Sequence, residues 1–281
     1  VTSSLHGARD ERGEVLAVDI LGGGMVEISA RLPHLAATAR PGQFAQLRCG
    51  EGFAPLLRRP FSVAWTEGDV AAFVLAPVGA GTRILAALQP GDALSALGPL
   101  GKGFTVSADA GRALCVSGGL GCAPFPLLVR ALRRAGTEVR VVSGAARAEL
   151  LYPADRFVRG DQGVAVIELT VDGSRGSQGL VTAGLPADLD ADTAVYACGP
   201  NQMLAAVSRR LLEASSPPWL AEASLEAPMG CGFGTCLGCA LPVHGGGGGS
   251  QWALCCTDGP VMPMRSVAWD DLMRLPPAHV A

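Results

Sequence analysis

Aromatic residues are scarce in this chain. Phe, Trp and Tyr make up 5% of 281 residues, against 49% for all hydrophobic types, so the core must be built mostly from Ala, Val and Leu. Charge imbalance is almost lacking as well. A formal net charge of −3 gives no electrostatic case for nucleic acid or an anionic membrane surface. There is no long unbroken apolar run. The most apolar stretch, 113–129, is interrupted by glycines and prolines and followed by Arg130, which fits a folded domain better than a membrane span. The polar, charged residues 1–14 do not resemble a signal peptide, and the expected location is cytoplasmic. Histidine is sparse, and His6, His34, His244 and His279 fall outside every motif described below.

Cysteine is present in number and is unevenly placed. Five of the nine, Cys231, Cys236, Cys239, Cys255 and Cys256, fall in one short segment, and the other four stand singly. A secreted disulfide framework would be smaller, with its cysteines spread through it, so the dense cluster argues for a metal site.

The length suits two compact domains, and three sections can be read. In residues 10–107, short apolar runs at 14–20, 25–30, 44–47, 61–64 and 70–75 are separated by Gly and Pro, with turns at Pro41-Gly42 and Pro90-Gly91 and a short helix over 82–88. That spacing predicts an antiparallel β-barrel or sandwich. In residues 108–221, apolar strands at 113–117, 139–143, 164–169 and 194–197 alternate with helices at 124–134 and 203–214, which predicts a parallel sheet with helices on its faces. Residues 222–265 hold the cysteines, and the five glycines at 245–249 read as a loop tip.

Cys231, Cys236 and Cys239 are spaced C-x4-C-x2-C, with further cysteines at 255 and 256. This is the plant-ferredoxin pattern for a [2Fe–2S] cluster, in which each iron takes two thiolates beside the bridging sulfides. Gly232, Gly234 and Gly238 permit the tight loop and let backbone N–H groups face an anionic cluster. A structural zinc site is the alternative, but zinc usually pairs its cysteines as C-x2-C twice. Local spacing does not choose between Cys255 and Cys256 as fourth ligand.

Other motifs are weaker singly. Arg58-Arg59-Pro60-Phe61-Ser62 opens a strand and could offer a guanidinium to a diphosphate, or could be a solvated basic pair. Gly79-Ala80-Gly81-Thr82 precedes a short helix and suits either a phosphate or an ordinary turn. Gly118-Gly119-Leu120-Gly121 follows a strand and opens a helix, which favours nucleotide binding without the full dinucleotide fingerprint. Cys198-Gly199-Pro200 also lies between a strand and a helix. In isolation it reads as a buried cysteine before a turn.

Taken in order, these motifs resemble the ferredoxin–NADP reductase superfamily and, within it, the electron-transfer subunits of the two-component, NAD-dependent (type B) dihydroorotate dehydrogenases. The resemblance covers nearly the whole chain. It also includes Pro41-Gly42-Gln43-Phe44, Gly98-Pro99-Leu100-Gly101, Asp172-Gly173-Ser174, Glu226, Met229 and the run from Cys256 through Asp258-Gly259-Pro260 to Val261. The fold it implies is an N-terminal FAD-binding barrel (10–107), an NAD-binding α/β domain (108–221) and a C-terminal [2Fe–2S] segment (222–265).

The resemblance further implies that Arg59, Pro60, Phe61, Ser62, Val74, Leu75, Ala76, Gly81 and Thr82 bind FAD. Gly118, Gly119, Gly121, Cys198, Gly199 and Pro200 would border the nicotinamide. Cys231, Cys236, Cys239 and Cys256 would hold the cluster, because the family's fourth ligand lies two residues before Asp-Gly-Pro. Leu75 and Ala76 depart from the aromatic and arginine often found in the family at that place.

The implied activity is electron transfer from the FMN of a catalytic dihydroorotate dehydrogenase partner, through [2Fe–2S] and FAD, to NAD+ in de novo UMP synthesis, within a heterotetramer of two of each subunit. A flavin is the needed converter, because NAD takes a hydride while the cluster passes single electrons. The other readings are a diaphorase subunit of a hydrogenase or NADH–ferredoxin complex, and a zinc-stabilised module without redox function.

Overall fold

The structure, a computed structural model, describes residues 7–50, 55–190, 192–214, 217–245 and 250–275. His6, His279 and residues 246–249 of the glycine run lie outside the described residues.

The first section is a closed six-stranded barrel. It is built from β1 (Arg9–Ile20), β2 (Val26–Arg31), β3 (Phe44–Leu47), β4 (Arg59–Glu67), β5 (Val70–Leu75) and β6 (Ala93–Leu100), in the spatial order β1-β2-β5-β4-β3-β6. Closure removes free sheet edges. Short helices α1 (Pro33–Thr38) and α2 (Ala80–Ala86) fill two connections. The interior is small and aliphatic: Ile28, Leu32, Ala45, Leu47, Val63, Ala71, Phe73 and Leu75 meet there. Strand β6 closes the barrel by pairing with β1 and β3, although it contains Gly98-Pro99, a pair that strands ordinarily avoid.

The second section places β7 (Arg112–Gly118), β8 (Glu138–Ala145), β9 (Ala165–Thr170), β10 (Ser177–Gln178) and β11 (Thr193–Cys198) in a parallel arrangement, with α3 (Phe125–Arg134), α4 (Ala154–Val158) and α5 (Asn201–Leu212) around them. The central strands β7 and β11 are buried on both faces, as a covered parallel sheet requires, while β9 is half-buried and β10 is exposed at the edge. Leu114, Val116, Val142 and Val195 face one core, and Ala113, Cys115, Val141 and Tyr196 face the other.

The cysteine section is fused to this sheet. Strand β12 (Leu220–Ser224) runs parallel to β11 and spans the point, 221/222, at which the sequence places the start of that section. A hairpin of β13 (Ala240–His244) and β14 (Ser250–Leu254) follows, and β15 (Val261–Pro263) returns antiparallel to β12 as the outer strand of the sheet. Helix α6 (Trp269–Leu272) is the last element of the described chain.

Barrel and sheet are tied by polar contacts across a shared apolar cluster that joins Ala64, Val74 and Phe104 to Cys122, Phe125 and Tyr196. Buried Glu27 on β2 accepts hydrogen bonds from the Tyr152 hydroxyl (2.8 Å) and the Arg156 guanidinium (2.9 Å), and Arg156 also reaches Asp19. Burial, reinforced by Glu27, pushes the Tyr152 hydroxyl far up, so it remains a donor. Arg159 lies 3.8 Å over the Trp65 ring, and Arg130 donates to Thr66. Removing Glu27 strands the buried Tyr152 hydroxyl and breaks the buried half of the Arg156 ion pair, leaving that guanidinium only Asp19 among the described residues. Glu27→Ala therefore lowers the unfolding free energy by about 3 kcal/mol, whereas Tyr152→Phe costs about 1 kcal/mol. Denaturant unfolding of the two variants tests this, and equal small losses would show that the strut carries no weight.

Candidate functional site

The hairpin register assembles the cysteines. Ala240 pairs with Leu254, so Cys239 before β13 and Cys255-Cys256 after β14 come together at the open end. The Cys255 N–H donates to the Cys239 carbonyl at 3.0 Å. The two adjacent cysteines then diverge. The Cys256 sulfur lies 3.2 Å from the Cys239 sulfur, while the Cys255 thiol turns to the Leu225 carbonyl at 3.5 Å. Cys255 is fully buried in the apolar core, and burial pushes its thiol well up.

The loop 231–239 brings the other pair. The Cys236 N–H points at the Cys231 sulfur at 3.4 Å. Gly232 and Gly234 adopt φ of 85° and 87°, and Leu237 holds φ 58°, a left-handed conformation costly for a branched side chain. Burial opposes ionisation of Cys231, but the amides of Phe233, Cys236 and Thr235 outweigh it and bring the thiol down to about 7. Burial and the neighbouring Cys239 push Cys256 up to about 12. Among the described residues no three His, Cys, Asp or Glu side chains close on a single ion position. The four thiols instead form two pairs, Cys231 with Cys236 and Cys239 with Cys256, which is the donor arrangement two irons with bridging sulfides require.

On the barrel, the two arginines play different parts. Arg58 is committed: it donates to Asp10 at 2.7 Å and to the Gln46 carbonyl at 3.2 Å. Among the described residues, the Arg59 side chain bonds only backbone carbonyls, of Leu57 (3.0 Å) and Arg58 (3.4 Å). It lies beside the start of α2, where a Cβ on Gly81 would meet the Arg59 side chain at 3.4 Å and the Cys49 sulfur at 3.0 Å. Thr82 fixes that turn by accepting from the Gly79 N–H at 2.8 Å. Pro60 and Ser62 pair with Gln46 and Phe44 and share their outward face, whereas Phe61 packs toward the barrel core. Leu75 points into that core and is 1% exposed, while Val74 belongs to the cluster shared with the sheet and Ala76 is half-buried beyond the strand.

The two nucleotide motifs meet at the carboxyl ends of the adjacent strands β7 and β11, where the sheet order reverses. Open parallel sheets bind ligands at such a switch point. The approach is close enough to demand glycine. A Cβ on Gly121 would lie 2.1 Å from the Cys198 carbonyl, and one on Gly118 would lie 2.4 Å from the Met203 sulfur. Gly199 has φ 156°, and Gly119 has φ 54° with open space before it. Pro200 starts α5 beside Gly118. Burial pushes the Cys198 thiol up to about 12. The hydroxyl of Ser117 and the side-chain carbonyl of Asn201 are buried without a hydrogen-bond partner at this junction. Neither residue carries a motif of its own, and only their places next to Gly118 and Pro200 could have flagged them.

Barrel, switch-point sheet and thiol loop together define a reductase of the ferredoxin–NADP reductase type with an added iron–sulfur module. Residues 226–268 match the family model for the iron–sulfur cluster binding domain of dihydroorotate dehydrogenase B. The electron transfer subunit of dihydroorotate dehydrogenase B (NAD+) from Desulforamulus reducens is 37% identical over 262 residues, covering 92% of this chain and 97% of that one. The solved NADH-dependent reduced ferredoxin–NADP oxidoreductase, described in connection with flavin-based electron bifurcation, superposes with a TM-score of 0.79 at 27% identity, over 93% of this chain and 91% of that one. A ferredoxin–NADP+ reductase from Neisseria gonorrhoeae with bound FAD and NADP shares the fold, with a TM-score of 0.61 at 19% identity, over 73% of this chain and 92% of that one.

The chain belongs to the family of electron transfer subunits of NAD-dependent dihydroorotate dehydrogenase B. It is an oxidoreductase component of an NAD-linked enzyme and carries an iron–sulfur cluster binding domain. That sets aside the zinc reading. No helix among the described residues is long and apolar enough to cross a membrane.

Proposed function

We propose that this chain takes electrons from the FMN of a dihydroorotate dehydrogenase catalytic subunit and delivers them to NAD+ in de novo UMP synthesis. Bound FAD would supply the exchange between single electrons and hydride, and a [2Fe–2S] cluster the one-electron link to the partner. Cys231, Cys236, Cys239 and Cys256 hold the cluster. Arg59 with the Gly81-Thr82 turn holds the FAD diphosphate, with Ser62, Pro60, Val74 and Ala76 lining the ring site and Phe61 bracing the strand from within. Gly118, Gly119, Gly121, Cys198, Gly199 and Pro200 shape the nicotinamide site, where Gly119 leaves room and Ser117 and Asn201 offer unpaired polar atoms. The observation that carries the reading is the division of the thiols into two pairs, Cys231 with Cys236 and Cys239 with Cys256, where the 231–239 loop touches the strand bearing Gln46. The proposed assembly is a heterotetramer of two of each subunit in the cytoplasm, a reducing compartment that suits a chain whose nine cysteines form no disulfide.

This chain has no dihydroorotate site of its own in the proposed scheme. Purified alone, it oxidises NADH with an artificial acceptor and leaves dihydroorotate untouched, and adding the partner restores dihydroorotate-dependent NAD+ reduction. Dihydroorotate oxidation by the chain alone would overturn the scheme. The 27% identity to the NADH-dependent ferredoxin–NADP oxidoreductase favours a second reading, a diaphorase subunit of a different complex, which the co-purifying partner distinguishes.

A further inference from the structure

Gln46 is fully buried, and both its amide nitrogen and its amide oxygen lack a hydrogen-bond partner. A buried amide left unpaired is costly, so such a group in a folded protein calls for a missing partner. Its position says which. Ala45 and Leu47 point into the barrel, so Phe44 and Gln46 face outward. Phe44 packs in the same apolar cluster as Cys239, Cys255 and Cys256. Gln46 pairs across the sheet with Pro60, inside the Arg59–Ser62 run, and Arg58 holds its backbone carbonyl. On its outer side lies the ligand loop: a Cβ on Gly232 would come within 2.7 Å of the Gln46 Cγ and Nε2 atoms. Gly232 follows Cys231 directly. The amide is therefore wedged between the flavin strand and the thiol loop, and the one strongly accepting group due at that loop is the anionic iron–sulfur centre.

We propose that the Gln46 side-chain N–H donates a hydrogen bond to a sulfur of the cluster, which sets the cluster's potential and fixes the loop against the flavin strand. The proposal rests on the cluster reading above. A donor to sulfur stabilises the reduced, more negative state, so its removal makes the cluster harder to reduce. Gln46 is thus a positioning residue, acting through the cluster and not on substrate.

The test uses anaerobically purified holoprotein carrying FAD and cluster. In an EPR-monitored redox titration, Gln46→Leu, which keeps the volume and deletes the donor, shifts the cluster equilibrium about tenfold toward the oxidised form. That is about 59 mV more negative for a one-electron couple, with the FAD potential unchanged. Wild-type protein labelled with ¹⁵N in its glutamine amides supplies the second measurement, which does not depend on the variant folding. Pulsed EPR of the reduced cluster shows a ¹⁵N coupling, and Gln46→Leu abolishes it where it retains the cluster. An intact cluster signal without that coupling, or a shift of the flavin potential in place of the cluster's, overturns the inference and leaves the proposed function standing. Absence of any iron–sulfur signal in the wild type removes both.

Discussion

Cys256→Ser yields a yellow protein without iron, and Cys255→Ser yields a brown one with its iron intact. The two cysteines are adjacent, yet only the Cys256 sulfur lies beside Cys239, at 3.2 Å, while the Cys255 thiol is turned to the Leu225 carbonyl. Serine is a poor ligand to iron and leaves one iron without its second thiolate, so iron falls from about two atoms per chain toward none. At position 255 a hydroxyl can keep the bond to Leu225, at a cost of about 1 kcal/mol for placing it in an apolar core. The flavin site uses other elements, so Cys256→Ser still reduces an artificial acceptor with NADH. Its dihydroorotate-dependent NAD+ reduction with the partner falls to background. Iron analysis and the visible spectrum decide the matter, and a brown Cys256→Ser protein beside a yellow Cys255→Ser one would reverse the ligand assignment.

Arg59→Ala loses FAD, and Arg58→Ala keeps it. The two guanidiniums are neighbours in sequence but not in role. Arg58 is used up by Asp10 and the Gln46 carbonyl, whereas among the described residues Arg59 meets only backbone carbonyls and lies against the Gly81 turn. A charge-assisted contact to a diphosphate is worth about 1.5–3 kcal/mol, so Arg59→Ala weakens FAD binding about 10- to 150-fold. Arg58→Ala removes a partly exposed ion pair and a carbonyl contact, and its effect is about 1 kcal/mol of stability. Fluorescence titration of apoprotein with FAD gives both affinities. Equal losses, or a larger one at Arg58, would mean that the diphosphate is held elsewhere.

Much of the fold could be read from local chemistry. The barrel strands Phe44–Leu47 and Val70–Leu75 are mostly apolar runs bounded by turn residues, and the parallel strands Arg112–Gly118 and Glu138–Ala145 carry the Val-, Leu- and Ala-rich centres of a sheet covered on both faces. What stayed hidden depends on distant partners. Strand Ala93–Leu100 contains Gly98-Pro99 and forms because β1 and β3 leave a gap that it closes. Strand Leu220–Ser224 has little β-branched character and is held by β11 on one side and Val261–Pro263 on the other.

The candidate site divides in the same way. Spacing alone points to four thiolates on two irons and leaves Cys255 and Cys256 open; the resemblance implies Cys256, and the fold separates the two side chains, with the Cys256 sulfur beside Cys239 and the Cys255 thiol turned to Leu225. Local chemistry does not separate Arg58 from Arg59, and only the resemblance prefers Arg59, until Asp10, far earlier in the chain, takes Arg58. Gln46 bears no motif, and its interest arises only from the glycine that packs across it.

The most direct test of the central claim is an anaerobic absorption experiment on this chain purified with its partner. Dihydroorotate is added first and NAD+ second. The account predicts that dihydroorotate bleaches the flavin and iron–sulfur bands together and that NAD+ restores them while NADH appears. Bands that answer to NADH but stay unchanged with dihydroorotate would contradict it and assign the chain to another redox partner.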